Sequence, residues 1–281
     1  DVCKTPDRLQ VLGSGGPELQ DKRASSSYLI WIDNKPRVLV DIGGGSALRF
    51  GQAEANLSDL AAVLFTHLHV DHVVDFAALI TSSYFEQRRV PLPVLGPRGN
   101  HLMPDTESFV NRLFDENTGA YPYLNNYLTA SKNDYWLVTQ NIDKETPSSA
   151  IQGDIIDVSA VNVHHGPIPA VAWRIDHDSW SVAFTGDMSE RGVEKMSQLA
   201  EEVDIMVAHN AVPEGANRAA LNLHMPPSVI GRLAKDAQVR RLVLSHRMRR
   251  TLGKETETLN QIRESYKGPV DFADDLDCFP L

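Results

Sequence analysis

The sequence predicts an α/β protein in which short buried strands alternate with amphipathic helices and deliver polar residues to one edge. Three observations carry this. Apolar runs of strand length alternate with segments of helical spacing through much of the chain, the pattern of a layered α/β structure. Five such runs end on or just before a histidine or aspartate: His67, His165, Asp187, His209 and His246. The strand ends of an α/β layer gather where ligands bind, so these five residues are expected on one functional edge. One of them opens the densest stretch in the chain, Thr66-His67-Leu68-His69-Val70-Asp71-His72.

The first elements are simple. Leu9 to Gly13 reads as a strand, and Ser26 to Ile32 pairs with Arg37 to Ile42 as a hairpin around Asp33-Asn34-Lys35-Pro36, a turn signal. Asp41-Ile42-Gly43-Gly44-Gly45 ends the hairpin; no Gly-Lys-Ser/Thr follows, so the glycines are read as close backbone packing and not as a phosphate cradle. Val63 to Phe65 is a buried strand leading into the histidine stretch. Alternation points His67 and His69 the same way and turns Leu68 into the core. Asp71 and His72 come where a helix, Val73 to Phe85, is expected to begin. Neutral imidazole and carboxylate are ligands for zinc and similar divalent ions, and two sets of them suggest two metals.

Pro91 to Gly96 is a strand. From Asp105 to Ser149 the pattern changes: Phe109, Leu113 and Phe114 suit a helix, while Tyr121, Tyr123, Tyr127, Tyr135 and Trp136 are poorly periodic. This stretch, about residues 105–149, is read as a helical and aromatic insertion near the site mouth. Regular structure returns with Ile155 to Val158 and Ala160 to His165. Val161, Val163 and His165 share one strand face, which favours His165 over His164 as the inward residue. Strands over Val171 to Ile175, Ser181 to Phe184, Val203 to Ala208, Arg241 to Leu244 and Val270 to Ala273 then alternate with helices over Glu190 to Glu201, Pro226 to Ala237 and Glu255 to Tyr266.

Composition bounds the rest. The chain has 281 residues with 42% hydrophobic and 23% charged, which is ordinary for a soluble globular protein, and a single domain over 1–281 is expected. No apolar run approaches the roughly 18 residues of a membrane helix, so no membrane partner is expected. The net charge of −10 and pI near 5.4 repel nucleic acid. The one basic cluster, Arg247, Arg249 and Arg250, suits a small anionic substrate or a solvated surface. Cys3 and Cys278 lack a CxxC neighbour, so a thiolate metal site is disfavoured; a disulfide between them and two free thiols are both open. The sequence opens on Asp1 without a methionine, and we expect a periplasmic or secreted protein, with a cytoplasmic one as the alternative.

The His67-Leu68-His69-Val70-Asp71-His72 stretch resembles the HxHxDH signature of the metallo-β-lactamase superfamily. Leu12-Gly13-Ser14-Gly15, Val40-Asp41-Ile42-Gly43-Gly44, Leu95-Gly96-Pro97-Arg98-Gly99, His165-Gly166, Thr185-Gly186-Asp187 and Leu244-Ser245-His246 occur in that family's order. Within it the chain is most similar to the branch containing ribonuclease Z and the zinc-dependent arylsulfatases. The resemblance implies an αββα sandwich, two mixed β-sheets flanked by helices, holding two Zn2+ ions, with Mn2+ or Fe as alternatives. It assigns His67, His69 and His165 to the first metal, Asp71, His72 and His246 to the second, and Asp187 as the bridge. His224, in Leu223-His224-Met225, matches a ribonuclease Z histidine and is the candidate general acid or oxyanion contact. Asn210 stands where the family's His-Glu-Ala stretch has glutamate, which weighs against tRNA processing.

The implied function is hydrolysis of a small anionic ester, a sulfate ester or a phosphodiester, by a metal-bound hydroxide, with Asp71 and His224 as catalytic residues. Alternatives are a lactone or β-lactam hydrolase on the same site, a tRNA 3′-end endonuclease, and a non-catalytic metal-stabilised binding protein. Dimers are common in the superfamily, and a homodimer is compatible with the sequence.

Overall fold

Residues 2–130 and 135–281 are described in the computed structural model of the chain. Asp1 and residues 131–134, which fall within the stretch expected as an insertion, lie outside the described residues. The strands run β1 (Arg8–Gly13), β2 (Ser27–Ile32), β3 (Lys35–Val40), β4 (Ala62–Leu64), β5 (Leu92–Pro97), β6 (Leu137–Ile142), β7 (Ser148–Gln152), β8 (Asp157–His165), β9 (Ile168–His177), β10 (Trp180–Phe184), β11 (Ile205–His209), β12 (Arg241–Ser245), β13 (Val270–Phe272) and β14 (Cys278–Pro280). The α-helices are α1 (Ser46–Gln52), α2 (Val70–Val73), α3 (Phe76–Ser82), α4 (Thr106–Phe114), α5 (Val193–Leu199), α6 (Arg218–Leu221), α7 (Pro227–Asp236) and α8 (Glu255–Arg263). They form two mixed seven-stranded sheets, each accompanied by helices, which is the α/β class expected. The chain divides into two compact units, one for each sheet.

The first unit comprises Ala24–Asn141 with the segments up to Gly13 and Asp275–Pro280. Its sheet has the order β14-β1-β2-β3-β4-β5-β6. β2 and β3 form the expected antiparallel hairpin, but the turn is shorter than anticipated. Asp33 and Asn34 take positive φ of 50° and 59°, and Ile32 already pairs with Lys35. Two consecutive left-handed residues are what a two-residue hairpin turn demands, and Asp and Asn tolerate that conformation. β3 and β4 are parallel, so Asp41 and the histidine stretch leave the sheet at the same edge.

The helix expected over Val73 to Phe85 starts earlier and breaks. His69 caps α2, which places Asp71 and His72 within that helix. The break falls at Asp75, whose N–H donates to the Ile42 carbonyl (3.1 Å) while its carboxylate accepts from the Ala47 N–H (3.0 Å). Bonds to another segment thus replace those that would continue the helix. Gly43 confirms close packing: a Cβ there would lie 2.1 Å from the Asp71 carbonyl oxygen. Leu68 is buried in a core with Phe65, Phe76, Val110, Phe114, Tyr127 and Tyr135.

The aromatic stretch divides. Tyr127 and Tyr135 are core residues of the first unit, and the Tyr135 hydroxyl meets Ser83 Oγ at 2.6 Å. Tyr121 and Tyr123 are exposed, and with Val74, Ala77, Ala78 and Thr81 they line a cavity of about 470 Å³ along α3. The end of the stretch supplies β6 and the start of β7, edge strands of the two sheets.

Cys3 and Cys278 form a disulfide, with Cα atoms 5.2 Å apart, settling a pairing the sequence left open. It fastens the segment before β1 to β14, whose Pro280 pairs with Arg8. Thiol titration of denatured, unreduced protein is therefore expected to find no free thiol. Replacing both cysteines with serine should cost about 2–4 kcal/mol in denaturant unfolding, because the bridge constrains the unfolded chain. Two titrating thiols would refute this.

The second unit comprises Ser14–Arg23, Ile142–Asp274 and Leu281, with the sheet order β13-β12-β11-β10-β9-β8-β7. β10, β11, β12 and β13 are parallel, while β9 is antiparallel to both β10 and β8. Hence β8 runs in the direction of β10, and the C-terminal ends of β8, β10, β11 and β12 share one edge. Met196, Leu199, Ile230, Leu233, Leu242 and Ile262 pack the helices onto this sheet.

Candidate metal centre

Each unit carries one group of donors at its strand ends. In the first, the chain leaving β4 brings three imidazoles together: the His67 ring lies 4.0 Å from that of His72 and 4.6 Å from that of His69. His67 Nε2 and His69 Nδ1 are 3.0 Å apart, and Asp71 Oδ2 lies 3.5 Å from His72 Nε2. His67 and His72 are fully buried, while His69 and Asp71 are half-buried.

A residue outside the predicted ligand set organises this group. Asp41, fully buried and one residue beyond β3, accepts from the Thr66 N–H (2.7 Å) and the Thr66 hydroxyl (2.7 Å) and lies 2.7 Å from His72 Nδ1. The sequence offered its signal, an apolar strand ending in a carboxylate, but the following glycines drew the reading towards a loop.

In the second unit, β8, β10, β11 and β12 deliver His165, Asp187, His209 and His246. The buried Asp187 carboxylate has His209 Nδ1 2.7 Å and His246 Nε2 3.4 Å from Oδ1, and His165 Nε2 3.8 Å from Oδ2. Donor atoms of Asp187, His209 and His246 all lie within 4.8 Å of one another, as do those of His165 and Asp187. His209 belonged to the strand-end series but not to the predicted ligands; its Nδ1 lies 2.7 Å from Asp187 itself. His164 faces the other way, with Nδ1 2.6 Å from Ser189 Oγ and Nε2 accepting from Arg191 Nη1 at 3.0 Å. Burial, with Arg191 and His165 nearby, holds its pKa below the usual histidine range.

The donors suit a divalent metal. His165 Nδ1 is 2.8 Å from the Leu223 carbonyl. A carbonyl only accepts, so Nδ1 carries the proton and Nε2, facing Asp187, keeps its lone pair. Asp41 fixes the same tautomer in His72. Metal-binding histidines characteristically donate their second nitrogen to a carbonyl or carboxylate in this way.

His224 stands beside the second group, its ring 5.4 Å from that of His165 and 5.9 Å from that of His246. Burial pushes its pKa down to about 3, with His246, His165 and Arg250 adding to the fall and Asp187 opposing it. The imidazole is neutral at pH 7 and offers an N–H hydrogen bond, not an imidazolium proton.

The pattern of the Beta-lactamase superfamily domain matches residues 36–247, a span that includes every donor described above. The chain belongs to this superfamily. Its relatives include the ribonuclease Z of Mycobacterium sp. (strain KMS), 26% identical over 280 residues and covering 95% of this chain and 94% of that protein. Among solved structures, the metallo-beta-lactamase fold protein YhfI from Bacillus subtilis superposes with a TM-score of 0.75 at 20% identity, covering 98% of this chain and 99% of that one. A diphosphatase of the PhnP family superposes with a TM-score of 0.66 at 15% identity, covering 98% of each. These superpositions support the metallo-β-lactamase fold, and the superfamily match makes the chain a hydrolase with a candidate metal-binding His/Asp cluster.

Proposed function

We propose that the chain is a dinuclear metal-dependent hydrolase of small anionic esters, with phosphodiesters as leading substrates and aryl sulfates second. The observation that carries this is the Asp187 carboxylate, buried among three imidazoles at converging strand ends. Ionisable groups at that density are costly to bury unless they coordinate a cation. The ligand set is the one the resemblance implies: His67, His69 and His165 for one ion, Asp71, His72 and His246 for the other, and Asp187 shared. Zinc, with manganese or iron as alternatives, would supply Lewis acidity and an acidified water.

The chain's own residues do the rest. Asp41 and the Leu223 carbonyl hold His72 and His165 as lone-pair donors. Neutral His224 is suited to donate a hydrogen bond to charge developing on an ester oxygen. Ribonuclease Z among the relatives and a diphosphatase among the structural neighbours favour phosphorus over sulfur. The net charge of −10 and Asn210 in place of glutamate favour a small molecule over a nucleic acid. The Cys3–Cys278 disulfide supports an oxidising compartment outside the cytoplasm.

The test compares hydrolysis of a matched aryl phosphodiester and aryl sulfate by one zinc-loaded sample, with a chelator-treated control. The diester should be cleaved faster, and both activities should vanish with chelator and return with metal. Inertness to both, with turnover of a lactone or β-lactam, would move the chemistry to carbonyl substrates. A fully loaded protein inert to every ester class would favour a binding protein.

A further inference from the structure

Three arginines follow His246, and the structure separates them. Arg247 is buried, ion-paired with Glu255, 4.0 Å from Asp274 and stacked over the Phe272 ring at 5.0 Å. It is a structural cation. Arg249 is fastened along its length: its N–H donates to Glu18 Oε2 at 2.7 Å and Nη1 to Gln20 Oε1 at 2.6 Å.

Arg250 differs from both. It is exposed and, among the described residues, has no carboxylate partner, in a chain with ten more acidic than basic residues. Its guanidinium is nonetheless aimed. Nε donates to the Ala211 carbonyl at 2.6 Å, two residues beyond His209 at the end of β11, and Nη2 lies 3.7 Å from Met248 Sδ. Guanidinium geometry leaves Nη1 and much of Nη2 available for an oxyanion.

A buried donor of the same unit also lacks a partner. His224 is 8% exposed, and its Nδ1 has no hydrogen-bond partner among the described residues. Arg250 is among the charges acting on this ring. A lone solvated arginine needs none of these features. An oxyanion held by the guanidinium offers an acceptor to a donor that otherwise stays unmade, because a buried N–H without a partner is costly and a bound anion satisfies donor and cation together.

We infer that Arg250, held by the Ala211 carbonyl two residues beyond His209, binds the anionic oxygen of the substrate and makes the enzyme selective for charged over neutral esters. This rests on the hydrolase reading and narrows its substrate class. Arg247 and Arg249 take no part, being committed to Glu255 and to Gln20.

The experiment uses metal-loaded wild type, Arg250→Met and Arg250→Lys, with a monoanionic aryl phosphodiester and a neutral aryl ester of the same leaving group. Arg250→Met should lower kcat/KM for the diester about 10–100-fold, mostly through KM, as expected for one charge-assisted contact. The neutral ester should change less than about twofold, and Arg250→Lys should fall between. Equal losses on both substrates would make Arg250 a structural residue, and no loss on either would overturn the inference outright. If wild type cleaves no diester, the substrate reading fails separately, and calorimetric titration with inorganic phosphate still decides the role of Arg250. Binding at least tenfold weaker in Arg250→Met sustains it, and equal binding overturns it.

Discussion

Asp187→Asn is expected to lower ester hydrolysis about a thousandfold or more and to reduce bound metal below two ions per chain. Asparagine keeps the shape of the side chain and removes its charge, so packing at the β10 end should survive while the carboxylate facing His165, His209 and His246 does not. Metal assistance is worth several kcal/mol of transition-state charge stabilisation, and each 1.36 kcal/mol is about tenfold in rate. Metal analysis of the purified variant, with circular dichroism as a control for folding, reads both halves of the prediction. His224→Ala should behave differently: both metals stay and turnover falls about 10²–10³-fold, the effect of losing one preorganised donor. Wild-type turnover in His224→Ala would remove it from the reaction, and full metal content with full activity in Asp187→Asn would sink the ligand assignment.

The second large effect is predicted at a residue that need not touch substrate. Asp41→Ala should destabilise the fold by about 3 kcal/mol or more, because it strands the Thr66 N–H and leaves the Thr66 hydroxyl and the His72 ring with only longer contacts in a fully buried place. Asp41 also has φ of 58°, a left-handed conformation that alanine adopts at a cost of about 1 kcal/mol. Metal affinity should fall about 10–100-fold, as when the group orienting a ligating histidine is removed. Asp41→Asn keeps the backbone conformation but cannot accept from every donor, so it should lie between wild type and alanine. Denaturant midpoints and competitive chelation measure the two effects. An Asp41→Ala protein matching wild type in both would show that His72 needs no orienting partner.

How much of this was legible in the sequence depended on whether a signal was local. Strand-end histidines and aspartates are local signals, and alternation was enough to choose His165 over His164 and to bury Leu68. The break between α2 and α3 was not legible, because it is made by hydrogen bonds to Ile42 and Ala47, some 30 residues away. Asp41 carried a local signal, a strand ending in a carboxylate, but its partner was not legible, because Thr66 comes to it only where β3 and β4 run in parallel. The aromatic stretch carried no usable period because its tyrosines serve two ends, with Tyr127 and Tyr135 packed inside and Tyr121 and Tyr123 outside. The three arginines look alike in sequence, and only their partners tell them apart.

The Cys3–Cys278 bond turns nearly the whole chain into a covalent ring. Every residue assigned to metal, from His67 to His246, lies on that ring, and so do both sheets apart from the last residues of β14. A single cut in any surface loop would open the ring without releasing a fragment, leaving the donors of the two units on one molecule. Wherever a protease meets the folded chain, such a linkage separates being nicked from being lost.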